Sequence, residues 1–351
     1  MEIHIQNLHI ENVNMAIFPR FRKFVKKVFG CGTGTGTGCN EVNSIKLVRK
    51  YNDVIGVGFH RSGWPYVFKW LTTISSNKGI LFDDFIEQNF CYRDKPLVYK
   101  EPWIGVFHHP PTIPYFGNQR ESLTYVFQTK EFKQSAKHLK LAIALSEHLA
   151  KFLRKHLNCP VIVIKHPAAT DVPQWSIEKY RNNKNKKLIQ VGYYLRNTQL
   201  ISQIPTSNFS KVRLWIRKNW VEEFDRKIQK YWAVTKLRKS YGGFTNDTFV
   251  PPSQYDKLLT ENIVVMEVFD ASASNGILDC ITRNTPIIIN KHPAVVEYLG
   301  EDYPLYFKDP KDIPQIALKA EEAHKYLVNM DKSWLDVESF IKEILEKVLS
   351  V

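Results

Sequence analysis

Short, strongly apolar runs alternate with amphipathic stretches through most of this chain. Residues 54–59, 79–82, 103–107, 141–145 and 161–164 read as strands. Between them, residues 64–74, 132–138 and 147–157 read as helices. Ser146 stands before the last of these, where its hydroxyl suits the unpaired N–H groups of a first turn. Short strands of this uniform apolarity, separated by helices, predict a parallel sheet covered on both faces.

The rhythm breaks at residues 165–187, which hold Pro167, Pro173 and a charged polar run from 178 to 187. This stretch reads as a linker. The alternation then restarts, with strands at 188–191, 212–216 and 263–268 and helices at 221–239 and 253–259. A helical pattern begins at Asn275, strands follow at 286–289 and 305–307, and two closing helices are expected at 314–327 and 335–349. The expected class is therefore α/β, with two Rossmann-like domains facing a central cleft. Residues 1–170 form the first and 186–333 the second, and residues 334–351 form a helix that packs back toward the first. The first 50 residues fit this scheme poorly. Residues 18–29 read as a basic amphipathic helix. Residues 30–39 alternate Gly and Thr between Cys31 and Cys39 and read as a flexible loop. The Gly-Lys-Ser/Thr ending of a phosphate-binding P-loop is missing there.

Charge narrows the partners. The chain carries 49 basic and 35 acidic residues, a net +14. Such an excess favours acidic partners: nucleic acid, anionic lipid or phosphorylated small molecules. The basic residues concentrate in 20–27 and 179–187 rather than in a stripe interleaved with exposed aromatics, so no nucleic acid is expected; steep salt dependence of DNA binding would mark that rival reading. The basic segment 18–29 is a candidate for peripheral contact with a membrane surface. No uninterrupted apolar run is long enough to span a bilayer. The N-terminus lacks a basic-then-apolar signal pattern, and the five cysteines are odd in number and mostly isolated, so a cytoplasmic, reducing setting is expected.

The candidate chemistry gathers at strand ends, because ligands of open parallel sheets bind beyond the carboxyl ends of the strands. The segment 269–290 is the most informative. It runs from a buried strand through small polar residues into a helix at Asn275, and backbone N–H groups at such a helix start, helped by the helix dipole, form an anion cradle. Asp279 lies one turn into that helix, within reach of the sugar hydroxyls of a nucleotide. Other strand ends offer His60 and Arg61, Asp83 and Asp84, His108 and His109, Arg196, and Arg217. His60 reads either as a general base or acceptor-binding group or as a helix-capping loop residue. Asp84 reads either as an alternative base or as an N-cap.

The stretch Asp279-Cys280-Ile281-Thr282-Arg283-Asn284-Thr285-Pro286-Ile287-Ile288 resembles the donor-binding segment of GT-B glycosyltransferases, the glycosyltransferase family 4-like and glycogen-synthase-like group. That pattern has two acids: Asp279 takes the place of the second, while the first falls at Ala271, one residue after Asp270. The resemblance implies that Asp279 binds the nucleotide ribose and that Ser274, Asn275, Gly276 and Ile277 meet the diphosphate. It also implies that Arg196 contacts the diphosphate. The usual Lys five residues later falls at Ile201, and Arg217 is the candidate substitute. Phe249 and Val250 would lie at the nucleobase, and Glu297 closes the short helix after His292. The implied activity is transfer of a sugar from a UDP- or GDP-linked donor to a glycan or glycolipid hydroxyl, with no metal and no cofactor. Arg61, His108 and His109 would line the acceptor cleft, and Trp64, Trp103, Tyr115 and Phe116 are either sugar-stacking or core aromatics. His60 or Asp84 would act as base if the reaction inverts, and no base is needed if it retains. A nucleotide-sugar epimerase of the same fold is the alternative.

Overall fold

The computed structural model describes residues 44–49, 63–214, 218–235, 238–247 and 250–348. His60, Arg61, Arg217 and Phe249 lie outside the described residues, as do the strand expected at 54–59, the basic segment 18–29 and the Gly/Thr run.

Two wholly parallel sheets organise the chain. The first contains β1 (Ile45–Leu47), β2 (Ile80–Asp83), β3 (Trp103–Phe107), β4 (Leu139–Ala144) and β5 (Val161–Val163), paired in chain order. The second contains β6 (Lys187–Val191), β7 (Ser210–Leu214), β8 (Thr245–Asp247), β9 (Ile263–Met266), β10 (Ile287–Asn290) and β11 (Tyr306–Phe307). Its spatial order is β11-β10-β9-β6-β7-β8. The chain starts in the middle at β6, builds outward to β8, then returns to the other side of β6 with β9. The direction of winding reverses between β6 and β9, which opens a crevice at their carboxyl ends.

Local sequence explains the elements. All four residues of β9 are buried, as expected of a central parallel strand enclosed on both faces. Helix α1 (Trp64–Leu71) starts on Pro65, which suits a first turn that needs no N–H donor there. Helix α2 (Glu147–His156) is capped as its sequence implies, with the Ser146 side chain accepting the Leu149 N–H. Helix α3 (Asn275–Arg283) ends on Asn284 at φ 56°, a left-handed C-cap that Asn tolerates better than most residues. Helix α4 (Pro293–Leu299) follows β10, with His292 as its cap.

Some elements differ from expectation. The helix expected at 314–327 is broken into Ile313–Ile316, a 3-10 turn at Ala317–Lys319 and Ala320–Asn329. Strands β1 and β8 were not foreseen, since neither stands out as a run of apolar residues.

The last helix, α5 (Val337–Val348), returns to the first lobe. Its Val337, Phe340, Ile341, Ile344 and Leu345 share one core cluster with Val67, Phe68 and Leu71 of α1 and with Ile104 and Ile143 of the first sheet. Burying five such side chains stabilises this crossing by roughly 10 kcal/mol as an upper estimate. The two sheets are thereby joined at the linker and again at the C-terminal end.

Candidate functional site

The crevice at the β6/β9 switch is built by two loops. The first, Gly192 to Arg196, turns sharply, with Gly192 at φ 71° and Leu195 at φ 52°. The turn folds the Arg196 side chain back over its own strand end. Its Nη1 donates to the Val191 carbonyl at 3.1 Å and its Nη2 to Ser274 Oγ at 2.9 Å. A Cβ at position 192 would stand 1.4 Å from Arg196 Nη1, so Gly192 is required by contact as well as by φ. Gly276 serves the same end: a Cβ there would stand 2.5 Å from Met266 Cε and 3.6 Å from Arg196 Nη2. Burial lowers the pKa of the guanidinium from its ordinary value, opposed by the nearby Tyr255 and Asp279, and the group stays cationic.

The second loop, from Val268 to Ser274, ends at the start of α3. The N–H groups of Ile277 and Leu278 both return to the Ser274 carbonyl, at 2.9 and 3.0 Å. Ile277 therefore takes no part in an anion cradle through its amide, and its side chain is core. The donors open at this helix start, among the described residues, are the amides of Asn275 and Gly276. Together with Arg196 and the Ser274 hydroxyl they gather donors and positive charge at one point of the crevice, an arrangement that can hold an anion. Sequence reasoning thus placed Arg196, Ser274, Asn275 and Gly276, and the structure brings these four together.

Other nominated residues sit elsewhere. Asp279 is enclosed, 1 % exposed, with Arg283 Nη1 on Oδ1 at 3.0 Å and the Tyr255 hydroxyl on Oδ2 at 2.9 Å. Arg283 also holds Asp256. The carboxylate expected to face a ribose is instead part of a buried ion network. Val250 is half-buried against the second core.

In the first lobe, Asp84 is fully buried and bound by Arg49 and by the Trp64 indole N–H at 2.8 Å. A carboxylate held this way anchors a loop and is unavailable as a base, which corrects the expectation for it. His108 stacks on Phe85 with ring centroids 4.0 Å apart and meets the edge of Trp64 at 4.2 Å. Burial, with the neighbouring His166, drives its pKa well below the ordinary histidine value, so it is a neutral packing group. His109 is buried. Its Nδ1 lies 2.7 Å from the Glu121 carbonyl and its Nε2 3.2 Å from the Tyr92 hydroxyl. Tyr194 of the second lobe approaches the same ring, with its hydroxyl 3.4 Å from Nδ1. His109 thus forms a lobe contact rather than an open acceptor subsite. Trp64 and Trp103 are core, while Tyr115 is 72 % exposed at the rim and Phe116 packs on Phe269 and Tyr231 across the lobes.

A polar cluster between the lobes was not foreseen. Asp270, in the Val268–Ser274 loop, accepts from the Thr112 N–H and hydroxyl and faces His148 and His292. Its members are scattered over 180 residues, so no local spacing announced them; the one available signal was an acid one position before the expected first acid. Beside it, Glu297 of α4 accepts the N–H groups of Glu147 (2.7 Å) and His148 (3.4 Å), capping α2 from the other lobe.

No protein-family model matches the chain, and no curated protein matches it by sequence. Solved structures do match its shape. HepE of Anabaena in complex with UDP and glucose superposes with a TM-score of 0.56 over 82 % of each chain, at 12 % identity. The trehalose-6-phosphate synthase OtsA superposes with a TM-score of 0.52 over 84 % of this chain and 78 % of its own, at 8 % identity. The E. coli trehalose-6-phosphate protein bound with UDP-2-fluoro glucose gives 0.51, at 8 % identity. Two parallel-sheet lobes, a reversal of strand order in the middle of the second sheet and a last helix that crosses back complete the same architecture: the chain has the GT-B fold.

Proposed function

We propose that this protein transfers a sugar from a nucleotide-activated donor to a hydroxyl of a glycan or lipid-linked acceptor. The observation that carries the reading is the Arg196 guanidinium, laid over Gly192 and Gly276 at the β6/β9 switch and bonded to Ser274. Two glycines and a half-buried cation at the start of a nine-residue helix make a site whose best-matched ligand is a diphosphate. The fold neighbours support the reading, one holding UDP and glucose and another UDP-2-fluoro glucose.

In the proposed reaction the bond between the sugar's anomeric carbon and the diphosphate oxygen breaks, and negative charge collects on the leaving group. Arg196 and the amides of Asn275 and Gly276 stabilise that charge, so the protein supplies the electrophilic assistance itself and needs no metal. The acceptor binds against the first lobe and the aromatic rim of Tyr115 and Phe116.

Calorimetric titration with UDP and GDP tests the reading. One nucleotide is expected to bind, with affinity reduced about 10- to 100-fold by Arg196→Gln. Absence of binding by both nucleotides in the parent protein, or equal binding by parent and variant, defeats it.

A further inference from the structure

Tyr115 is the most exposed large apolar side chain among the described residues, at 72 %, and it belongs to no core cluster. The loop that presents it is nevertheless built to hold still. Pro110, Pro111 and Pro114 fix backbone dihedrals along it. The Gly117 N–H returns to the Pro114 carbonyl at 2.7 Å, and Gln119 Nε2 donates to the same carbonyl at 2.7 Å, so the turn is pinned from two directions. The Thr112 N–H ties the start of the loop to Asp270 of the other lobe at 2.9 Å.

The ring itself is braced. Its centroid lies 5.4 Å from that of Phe116 and 5.6 Å from that of Tyr231, at interplanar angles of 77° and 66°. Phe116 in turn meets Tyr231 at 5.6 Å and Phe269 at 5.3 Å. Tyr115 and Phe116 belong to the first lobe, Tyr231 to the helix Lys218–Thr235 of the second, and Phe269 to the loop that carries Ser274. The four rings form one cluster across the cleft, with Phe269 innermost and Tyr115 outermost. The Phe269 N–H reaches the carbonyl of Leu195, the neighbour of Arg196, at 2.9 Å, so the cluster is continuous with the anion site.

An aromatic ring fixed before its ligand arrives loses little entropy on binding, which suits a stacking surface. The Tyr115 hydroxyl has no hydrogen-bond partner among the described residues. Around the ring the surface turns polar at once: Asn118, Gln119 and Arg120 follow it, Gln229 and Lys230 precede Tyr231, and all five are exposed. One open ring bordered by amides and charges matches a ligand with a small apolar face and a rim of hydroxyls, as a pyranose has. An acyl chain or a protein partner calls for a wider apolar patch, and a single nucleic-acid strand for a row of open rings along a basic groove.

We propose that Tyr115, braced by Phe116 and Tyr231, is a stacking platform for a sugar of the acceptor, and that the acceptor is an oligosaccharide. The inference rests on the glycosyl-transfer reading above and names its acceptor class. Because Phe116 and Phe269 stand between Tyr115 and the anion site, the platform holds a unit beyond the one that reacts. Its two braces come from different lobes, so the platform is complete only in this arrangement of the lobes.

Screening the full chain on an array of printed monosaccharides and oligosaccharides, with oligothymidylate and oligouridylate spots beside them, tests the proposal. An oligosaccharide is expected to bind more strongly than its component monosaccharides. In fluorescence titration with the best-bound oligosaccharide, Tyr115→Ala should weaken affinity about 10-fold and Tyr115→Phe less than about threefold. The melting temperature should stay at the parental value in both variants, since the ring supports no core. No oligosaccharide bound by the parent, equal affinity in Tyr115→Ala, an equal loss in Tyr115→Phe, or Tyr115-dependent binding of the oligonucleotides instead overturns the platform. Calorimetry with UDP and GDP separates this from the donor reading. A parent that binds nucleotide but no oligosaccharide loses the platform and keeps the donor site. A parent that binds an oligosaccharide through Tyr115 but neither nucleotide removes the transfer reading, and the acceptor role with it.

Discussion

Gly192→Ala is the sharpest single test of the diphosphate pocket. Two costs are separable there. The backbone sits at φ 71°, where any Cβ strains the chain by about 1–2 kcal/mol. The new Cβ would also stand 1.4 Å from Arg196 Nη1 and 2.6 Å from its Cζ, so the guanidinium has to leave its place. If that guanidinium holds the diphosphate, its displacement loses a charge-assisted interaction of about 1.5–3 kcal/mol, or about 10- to 100-fold in nucleotide affinity. Gly243 supplies the control. It has φ 62°, and a Cβ there meets nothing within 4 Å, so Gly243→Ala carries the strain alone. Both variants should melt below the parent by a similar amount in differential scanning fluorimetry. Calorimetry with UDP or GDP, whichever the parent binds, should show the affinity loss for Gly192→Ala and none for Gly243→Ala. Equal affinity in both variants would refute the placement of Arg196 at the diphosphate.

In the buried Asp279–Arg283–Asp256 network, Asp279→Asn weakens one charged bond while Arg283 keeps Asp256, so it should destabilise by about 1–3 kcal/mol in denaturant unfolding; a variant of parental stability that has lost only nucleotide binding would return Asp279 to the ribose. Glu297→Ala strips the cap from α2 and should cost about 1–2 kcal/mol, with an increased radius of gyration in solution scattering as the lobes part; unchanged scattering would show that the cap does not hold the seam. Phe340→Ala should cost about 3–5 kcal/mol by opening a cavity between α5 and α1, measured by the same unfolding curves; a cost below about 1 kcal/mol would mean that α5 does not anchor the lobes. Asp83 is pushed up to about 7 by burial first and by the adjacent Asp84 second. A raised carboxyl contributes its stability in full below its unfolded value near 4 and loses it as pH rises through about 7, so stability of the parent should fall by a few kcal/mol across that window and Asp83→Asn should flatten the fall; equal slopes would refute the burial argument.

The second lobe was more legible than the first for a physical reason. Central parallel strands are buried on both faces, so β6, β9 and β10 announce themselves as apolar runs, and the loops after them fall where the switch-point rule puts a ligand. Arg196, Ser274, Asn275 and Gly276, nominated by the resemblance and by their place at those strand ends, are neighbours in the structure. Edge strands lack the signal: β8 reads Thr-Asn-Asp and was missed. The same rule found the right places in the first lobe but not the right states. His108, His109 and Asp84 do stand at strand ends, yet Phe85, Trp64, Arg49, Glu121 and Tyr194 close over them, and those partners lie 12 to 85 residues away in sequence. Asp279 fails for a related reason. Its helix position is as expected, but Arg283, one turn later on the same face, pairs with it before any ligand does.

The Val268–Ser274 loop joins two tasks that the sequence displayed as separate. Its start is clamped on both sides: Asn290 receives the Val268 N–H and returns a bond to the Val268 carbonyl, both at 2.9 Å, and the Phe269 N–H reaches the Leu195 carbonyl at 2.9 Å. Arg196 bridges to Val268 from the opposite strand end. Ala273, just before Ser274, packs against the cores of both lobes. A segment held at these points moves as one piece. Whatever orders Ser274 and Arg196 around an anion therefore also fixes Asp270, and through Asp270 the position of Thr112 and His148 on the facing lobe. On the proposed reading, donor binding and the contacts across the seam are coupled, because a single short loop carries both.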